Sequence, residues 1–482
     1  MWRRSFLILA VFLLAMLLRV GWLRAFPSDP IAPVDAEGYH LIALNLRAGR
    51  GFSMVWDPPF CPTAIRAPLY PFFLASGYAL LGPSPEHIIF FQVLLEVLTT
   101  ALVMRLGREV GSLLCGRDSV LSLNISLLSG MLYALNGTTQ RYTGVLFTEA
   151  LLLPLVAAAL WGTVVALKRR AVLPVILAGC FWGGALLTKP NVQFLVLSVA
   201  GLFLVRALGS LRGQGRCRTL LLLPWIFLGT VVLVVAPWLL RNRRVFGRWL
   251  LETAFEENLA RVSAVATLAE VRDQRVAPWT PTWEMFYGEL VEIAVQRYRW
   301  DARGEYALAC EERDLRHSQV AAVAREVVAA HPGPFLAAHF KGVVRSLLDV
   351  GHRFWYPILT GRSWETTGVL DDIWRRAQES LRIGAVGDAL HALWLERVVR
   401  PPLDAVLVWW GLLAARGLVW CLALRGIWRL RHAPWVALLL VGTVTYFIVL
   451  PGPIAYDRFY VPAVPAVVVL LASGVCKQGA HG

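Results

Sequence analysis

Charged residues are scarce in this chain of 482 residues, since Asp, Glu, Lys and Arg together make up 16% of it. Soluble globular domains carry about 25%, and a soluble protein of this size could not cover its surface with so few charges. Hydrophobic residues make up 57%, and 20 tryptophans are present. The composition excludes a soluble enzyme, a disordered chain and a fibrous repeat. It predicts a polytopic membrane protein.

Acidic residues are scarcer than basic ones, because 32 Asp and Glu face 47 Lys and Arg, for a net charge of +15. In a soluble protein this excess suggests a nucleic-acid partner, whereas in a membrane protein basic residues mark the cytoplasmic loops. Here the excess lies in alternate loops, offset there only by Glu109 and Asp118. We therefore predict cytoplasmic N- and C-termini and no nucleic-acid partner. The basic residues of those loops are Arg3, Arg4, Arg105, Arg108, Arg117, Lys168, Arg169, Arg170, Arg206, Arg212, Arg216, Arg218, Arg425, Arg429, Arg431 and Lys477.

Metal-binding cysteine motifs are missing. The seven cysteines are scattered, with no CxxC, HExxH or Cys/His cluster at the spacing of zinc ligands. Cys61 and Cys310 both fall in segments predicted to be outer, where the oxidising surroundings allow a disulfide. The sequence does not say whether these two thiols are close enough to pair.

Long apolar runs are abundant, and we count about ten of the roughly 17–25 residues that a membrane-spanning helix needs. The first runs from Phe6 to Leu23 and lacks a small-residue cleavage site, so it is interpreted as an uncleaved signal anchor. The predicted fold is an all-α polytopic membrane protein with surface helices in its outer loops. The remaining spans lie near 86–106, 119–136, 145–167, 171–188, 190–206, 219–240, 403–424, 434–451 and 458–475.

Two outer segments are too long to be turns. The first, 24–85, belongs to a predicted N-terminal transmembrane module, 1–240. The second, 241–402, is predicted to be an extracytoplasmic cap with interfacial helices, and 403–482 supplies the C-terminal transmembrane helices. Inside the cap, 335–350 is apolar, but both of its flanks are predicted to lie outside. A single crossing there is inconsistent, so this segment is expected at the interface or packed on the bundle.

The first outer loop carries an acidic residue on a short helix. The pattern of 34–49 predicts an amphipathic helix along the outer membrane surface. Asp35 would be its N-cap, a role that stabilises a helix by about 1 kcal/mol. Glu37 would be a first-turn acid favoured by the helix dipole. A chemical role for Asp35 is the alternative, and spacing alone leaves both readings open. Later in the loop, Arg66 stands in a run that contains prolines.

Cations also stand at the outer ends of three spans. These residues are Lys189, Arg241 and Arg458. Basic side chains at such places often only reach towards lipid headgroups. The positive-inside rule disfavours basic residues outside, however, so Lys189 and Arg241 point to a function. Tyr456 lies beside Arg458 in the sequence.

Few charges interrupt the apolar spans themselves. Glu96 and Arg416 lie inside spans, and Glu149 lies near an outer end. Ionisable groups within the membrane are functional candidates. A Glu96–Arg416 ion pair that holds two helices together is an equally plausible reading, and Arg416 could also reach inwards to the headgroups.

One outer carboxylate and several outer cations suit a lipid phosphate, with its chain in the bilayer and its anionic head among the cations. Glycosidases need two carboxylates because an alkoxide leaving group must be protonated. A sugar already attached to phosphate leaves more easily. One base that activates an acceptor hydroxyl, with cations that stabilise the departing phosphate, would then be sufficient.

At these positions the sequence resembles the GT-C superfamily of polyprenyl-phosphate-sugar-dependent glycosyltransferases. It is most similar to the bacterial branch related to protein O-mannosyltransferases and the lipid A aminoarabinose transferase. Six motifs, nearly end to end and in the family's order, carry the resemblance. They are Asp35-x-x-x-Tyr39-His40, Arg66-Ala67-Pro68-Leu69-Tyr70-Pro71, Thr148-Glu149, Leu187-Thr188-Lys189-Pro190, Pro237-Trp238-x-x-Arg241-Asn242 and Arg458-Phe459-x-x-Pro462.

The resemblance implies GT-C-like architecture, a polyprenyl-phosphate-linked sugar donor, inversion at the anomeric carbon and Asp35 as the general base. It implies a site at the outer face of a bacterial plasma (inner) membrane and a lipid, glycan or protein acceptor. With the charge argument, it makes Arg66, Lys189, Arg241 and Arg458 candidates for binding the donor phosphate. The further candidates for the substrate site are Glu37, Tyr39, His40 and Tyr456.

Departures from the family pattern are Ala67, where a proline is usual, and 255–259, which replaces a glycine-rich segment. Some relatives hold a divalent metal; Asp35, Glu37 and His40 could contribute ligands, but none is assigned, and no other cofactor is expected. A membrane transporter or lipid flippase is the alternative function, although internal repeats are not evident. A structural or receptor-like membrane protein is a third reading.

Overall fold

The structure is a computed structural model that describes residues 2–115, 119–211, 218–274, 280–300, 310–348, 351–362, 385–388, 391, 402–454 and 457–476. Within these ranges the chain is almost entirely helical, and an isolated bridge between Ser53 and Pro62 is the only strand-like pairing. The predicted all-α class is confirmed. The chain forms two compact units, one of residues 1–343 with 423–482 and one of residues 344–422.

The N-terminal half supplies ten helices, with a 3₁₀ turn at Pro190–Val192 before the ninth. They are α1 Trp2–Ala25, α2 Val34–Arg47, α3 Leu69–Leu81, α4 Pro85–Cys115, α5 Val120–Ala134, α6 Gly137–Thr143, α7 Glu149–Arg169, α8 Val172–Thr188, α9 Gln193–Leu211 and α10 Leu223–Phe246.

The remaining described helices belong to the predicted cap and the C-terminal spans, and a π-helical turn, Leu259–Ala264, follows the first of them. They are α11 Ala254–Asn258, α12 Val265–Val271, α13 Pro281–Tyr298, α14 Cys310–Ala330, α15 Pro332–Leu348, α16 His352–Thr360, α17 Leu403–Arg429, α18 Pro434–Val449, α19 Asp457–Tyr460 and α20 Val464–Val475.

Seven helices of the described chain are long and apolar enough to cross a membrane, and an eighth span results if α5 and α6, bent by 54°, count as one. The chain is therefore a multi-pass membrane protein. Three apolar helices, α3, α8 and α18, fall below this length. The predicted number of ten is thus not confirmed by length and composition.

Contacts at the helix ends separate into two sets within the first unit. At one set of ends, Lys168 at the end of α7 donates to Ser112 of α4 over 2.6 Å. There too Arg206 of α9 donates to the Leu167 carbonyl over 3.1 Å. The candidate residues described below gather around Glu149, the first residue of α7. Nineteen residues separate Glu149 from Lys168, or about 29 Å of helix. Lys168 and Arg206 therefore lie at the opposite end of the bundle from the candidate site.

A buried ion pair joins α1 to α4 inside the bundle. Arg19 Nη2 lies 3.0 Å from Glu96 Oε2, and both side chains are almost completely buried. Tyr133 donates to the same carboxylate oxygen over 2.8 Å. Glu96 is thus bound by Arg19 rather than by Arg416, the partner considered from the sequence. Arg416 donates to the carbonyl oxygens of Ser346 and Leu347 in the second unit.

The predicted cap contains a small hydrophobic core of its own. Trp283 and Phe286 of α13 pack with Val320 and Ala324 of α14 and with the π-helical turn. The predicted interfacial segment forms α15, and in the first unit His339 Nε2 lies 2.8 Å from the carbonyl oxygen of Val449. In the second unit, Tyr356 donates to Asp404 over 2.9 Å.

Candidate active site

Helix α2 presents Asp35 from its first turn. The helix begins at Val34 with Pro33 at the N-cap, and the cap makes no side-chain hydrogen bond. The prediction that Asp35 caps this helix is therefore wrong. Pro33 takes an extended conformation with φ −69° and ψ 136°, so the N-cap lies two residues earlier than predicted. Asp35 lies inside the helix, and its carboxylate faces the cations of neighbouring segments instead of the helix's own amides.

Two arginines hold the Asp35 carboxylate. Arg66 Nη2 lies 2.6 Å from Oδ1, and Arg458 Nη1 lies 2.7 Å from Oδ2. Burial by itself would raise the pKa of Asp35, but Arg66, Arg458 and Lys189 outweigh burial and lower that pKa to about 2. Asp35 is therefore ionised throughout the physiological range.

Arg458 continues this chain of charges to a second, fully buried carboxylate. Its Nε lies 2.9 Å from Glu149 Oε1, and Lys189 Nζ lies 2.7 Å from the same oxygen. The order is thus Arg66, Asp35, Arg458, Glu149, Lys189, and we call these residues the ion-pair chain. It joins the first outer loop to one end each of α7 and α8 and to α19. Residues far apart in sequence therefore meet at one end of the bundle.

Aromatic rings lie under the cations of the ion-pair chain. The Arg458 guanidinium lies 3.8 Å from the centre of the Phe147 ring. Arg66 lies 5.2 Å from the ring of Tyr39, and Lys189 Nζ lies 5.5 Å from that of Phe459. Rings at these distances attract a cation through their quadrupole and displace water from one of its faces. The cations are therefore partly dehydrated and fixed in position, which suits recognition of an anion.

Arg241 occupies a different place from the other predicted phosphate ligands. Its Nη1 donates to the carbonyl oxygen of Thr63 over 3.0 Å, and its guanidinium lies 4.8 Å from the Trp238 ring and 5.6 Å from the Phe52 ring. Through these contacts Arg241 braces the loop segment that leads to Arg66. The geometry supports a positioning role for it.

The other predicted substrate residues do not gather at one point. Tyr39 is buried beneath Arg66, and burial raises its pKa to about 12, so its hydroxyl stays protonated. His40 Nδ1 lies 2.7 Å from the Tyr78 hydroxyl in the packing of α2 on α3, and burial lowers its pKa. Glu37 is exposed. Tyr456 lies outside the described residues.

The residues considered for a divalent metal do not form a ligand set. Asp35 is engaged by two guanidinium groups, His40 is bonded to a tyrosine, and Glu37 points to the surroundings. In the part of the chain that the structure describes, no group of three or more His, Cys, Asp or Glu side chains could hold a metal ion. The arrangement does not fit a metal, and no step is derived through one.

Two carboxylates of the site were not singled out as site residues from the sequence. Glu149 is central to the ion-pair chain, and its signal was an acid at the first residue of an apolar helix. Glu252 gave no signal, because it follows α10 in an irregular segment. Its neighbour Thr253 donates its backbone N–H to the Ala64 carbonyl over 2.8 Å, so this segment lies against the first outer loop, two residues before Arg66.

The disulfide considered from the sequence is present. Cys61 of the first outer loop is bonded to Cys310, the first residue of α14. It connects the loop that carries Asp35 and Arg66 to the predicted cap within the first unit. The loop is also held by Asn45 Nδ2, which donates to the carbonyl oxygens of Ser53 and Val55 over 3.0 and 2.9 Å.

Comparison with known proteins gives one family match. Residues 65–240 match the family model described as dolichyl-phosphate-mannose-protein mannosyltransferase. This range contains Arg66, Glu149 and Lys189, and the resemblance to the GT-C superfamily predicted from the motifs is confirmed. No curated protein matches the sequence.

Among solved structures, the chain is similar to the archaeal oligosaccharyltransferase AglB from Archaeoglobus fulgidus, in complex with an inhibitory peptide and a dolichol-phosphate. The identity is 15% and the TM-score 0.48, and the match covers 98% of this chain and 50% of that one. It is also similar to ArnT from Cupriavidus metallidurans bound to undecaprenyl phosphate, at 13% identity and TM-score 0.41, covering 98% and 76%. The chain thus spans about half the length of the oligosaccharyltransferase.

Proposed function

We propose that this GT-C membrane glycosyltransferase moves a sugar from a polyprenyl-phosphate donor to an acceptor hydroxyl, with inversion at the anomeric carbon and with Asp35 as the general base. The ion-pair chain carries this proposal. It combines an ionised carboxylate in the first turn of α2 with three cations, of which Lys189 and Arg458 lie at helix ends and Arg66 in the loop before α3. There the head of a lipid phosphate can meet an acceptor.

The reaction needs one proton transfer and one bond exchange. Asp35 accepts the proton of the acceptor hydroxyl while the acceptor oxygen attacks the anomeric carbon. The bond between this carbon and the phosphate oxygen breaks, and its electron pair stays on the phosphate. Since attack and departure take place on opposite faces in a single displacement, the configuration inverts. Arg66, Arg458 and Lys189 stabilise the negative charge that develops on the phosphate.

The same cations link donor binding to the base. A donor phosphate placed among Arg66, Arg458 and Lys189 competes with Asp35 and Glu149 for them. Once the phosphate binds the same cations, they stabilise the Asp35 carboxylate less. The pKa of Asp35, which they hold at about 2, then rises because the cations oppose the effect of burial less strongly. Asp35 is thereby a weak base before the donor arrives and a stronger one afterwards. This coupling limits loss of the activated sugar to water.

We further propose that the site faces the extracytoplasmic side of a bacterial inner membrane, with both chain termini in the cytoplasm. The Cys61–Cys310 bond supports this side, because disulfides persist in oxidising compartments. The basic residues Lys168 and Arg206 at the opposite end of the bundle support it as well. The segment 241–402 is proposed as a cap that helps to select a lipid, glycan or protein acceptor, and 1–240 and 403–482 as the transmembrane modules.

Replacing the base tests the assignment. Asp35→Asn keeps the shape of the side chain but cannot accept the proton, so transfer should fall by about 10²–10⁴-fold while the protein still folds and binds undecaprenyl phosphate. The measurement is transfer of radiolabelled sugar from membrane lipid donors in reconstituted vesicles. Asp57→Asn, an exposed acid of the same loop, is the matched control. Wild-type transfer by Asp35→Asn would refute the role of Asp35.

A further inference from the structure

Gln92 is a completely buried side chain of α4, and the reaction proposed above does not use it. Its amide oxygen accepts a hydrogen bond from the Tyr70 hydroxyl of α3 over 2.7 Å. Its amide nitrogen donates to the carbonyl oxygens of Thr143 and Val145 over 2.8 and 3.0 Å. The amide therefore ties α4 to α3 and to the chain where α6 leads into α7. Because no water competes for hydrogen bonds in a buried network, such bonds fix the groups that they join.

The bond to Tyr70 supports Arg66. Tyr70 is itself completely buried, and its ring meets the ring of Tyr39 edge to face, with centres 5.2 Å apart and planes at 89°. The Arg66 guanidinium lies over the same Tyr39 ring and binds Oδ1 of Asp35. Anchoring the Tyr70 hydroxyl thus fixes the pair of rings on which Arg66 rests.

The bonds to the backbone support Arg458. The Val145 carbonyl that accepts from the amide also accepts the backbone N–H of Phe147 over 2.8 Å. The ring of Phe147 lies under the Arg458 guanidinium. Between these two residues, Leu146 donates its N–H to the Pro30 carbonyl over 2.9 Å, in the segment before α2. The same amide therefore holds the stretch of chain that presents Phe147 to Arg458, and this stretch is bonded in turn to the segment that leads into α2.

We propose that Gln92 is a positioning residue for sugar transfer, because its amide fixes the aromatic rings that lie under Arg66 and Arg458. This inference rests on the proposed function. The two arginines bind the two oxygens of Asp35, so the amide sets where the base stands relative to the cations that stabilise the departing phosphate. A misplacement of about 1 Å in such an arrangement can lower a rate by about 10²-fold.

The first test is Gln92→Leu, which removes all three bonds with a side chain of similar size. The kcat of sugar transfer in reconstituted vesicles, counted per site that binds undecaprenyl phosphate, should fall by at least about tenfold. The dissociation constant of undecaprenyl phosphate should change by less than about threefold, because misaligned cations lose charge stabilisation mainly in the transition state. Since unfolded protein binds no lipid, a loss of stability alone changes the number of sites and not the kcat per site.

Gln140→Leu is the matched control. The Gln140 side chain is also a buried amide, and it donates to the Ala134 carbonyl at the end of α5 over 2.8 Å. Its loss should leave kcat per site at the wild-type value. Tyr70→Phe keeps the ring and removes one of the three bonds of Gln92, so its kcat should lie between those of the wild type and Gln92→Leu.

A double variant tests the route through Phe147. Gln92→Leu combined with Phe147→Leu should lower kcat by less than the product of the two single losses, because both changes act on Arg458. Gln140→Leu combined with Phe147→Leu should lose only as much as Phe147→Leu alone.

A wild-type kcat per site for Gln92→Leu, or losses that multiply in its double variant with Phe147→Leu, would overturn the inference and leave the proposed function standing. If Gln92→Leu does not fold, Tyr70→Phe decides, and a wild-type kcat in that variant overturns the inference as well. Wild-type transfer by Asp35→Asn would instead remove the base itself, and the inference would then fall together with the proposed function.

Discussion

Arg458 is the residue on which both carboxylates of the ion-pair chain depend. Its Nη1 contacts Asp35 while its Nε contacts Glu149. A planar guanidinium can serve two carboxylates at fixed angles, whereas an ammonium is a single point charge. The side chain is nearly buried and rests on Phe147, so both contacts are made with little competition from water. The arrangement therefore requires an arginine and not merely a positive charge.

We accordingly expect Arg458→Lys to lower the rate of transfer by at least about tenfold. The lysine can hold Asp35 or Glu149 but not both, so the cation that should stabilise the departing phosphate is misplaced. The measurement is kcat for sugar transfer, together with the melting temperature in detergent. Arg244→Lys, an exposed arginine of α10, is the control and should match the wild type. A kcat within twofold of wild type would show that charge alone is sufficient.

At this scale the sequence predicted the outer ions but not their pairing. Lys189 and Arg458 could be found because the positive-inside rule disfavours basic residues at the outer ends of apolar spans. Asp35 and Arg66 could be found because they lie in motifs that resemble those of the GT-C superfamily. Their partners depend on which helix ends meet, which no local pattern records. Glu252 lies in an irregular segment, where neither periodicity nor a cap signal exists.

At the scale of elements, helix existence was predictable and helix ends were less so. Apolar length predicted that α4, α7 and α10 exist, because hydrophobic thickness requires a minimum length of span. The ends of α7 lie within four residues of the prediction, whereas α4 continues nine residues and α10 six residues beyond their predicted ends. Helix α2 was predicted from amphipathic spacing, yet the start of the helix was misjudged, since Pro33 at the N-cap displaced Asp35 from that role.

The Cys61–Cys310 bond connects the loop that carries Asp35 and Arg66 to the predicted cap, and it closes a chain segment with a sequence separation of 249. Constraining so long a loop in the unfolded state stabilises a fold by about 2–4 kcal/mol in general. We expect Cys61→Ser, Cys310→Ser and the double variant to lower the melting temperature by the same amount, because each removes the same bond. Protease fragments of the wild type cut between the two cysteines should separate on a gel only after reduction.

Cys180→Ser is the control for this experiment, since Cys180 is an exposed free thiol. It should leave both the melting temperature and the gel pattern unchanged. Additive losses in the double variant would mean that the two cysteines act independently and are not bonded to each other.

For the whole molecule, the contacts indicate that two of the three shorter apolar helices, α8 and α18, also cross. Helix α8 begins beside the end of α7 and ends beside the start of α7, because Lys189 at the end of α8 binds Glu149, the first residue of α7. Helix α18 has Trp435 beside Arg206 at one end of α9, while Tyr446 donates to the Asn191 carbonyl at the other end. Each of these two helices therefore extends from one end of a longer neighbouring helix to the other. With the bent pair α5–α6 counted as one span, ten crossings are the expected number.

Ten crossings would place both termini on one side of the membrane, and the orientation that we propose from the charge pattern puts that side in the cytoplasm. We expect a cysteine at Glu86, at the start of α4, to react with a membrane-impermeant maleimide in intact spheroplasts. A cysteine at Arg169, at the end of α7, should react only after permeabilisation. Both residues are exposed, and the background keeps the Cys61–Cys310 bond while the free cysteines are replaced by serine. Labelling of Arg169→Cys in intact spheroplasts would show that the orientation is the reverse of the proposed one. The ion-pair chain would then lie at the cytoplasmic face, and the lipid-linked donor would have to be presented from the cytoplasmic leaflet.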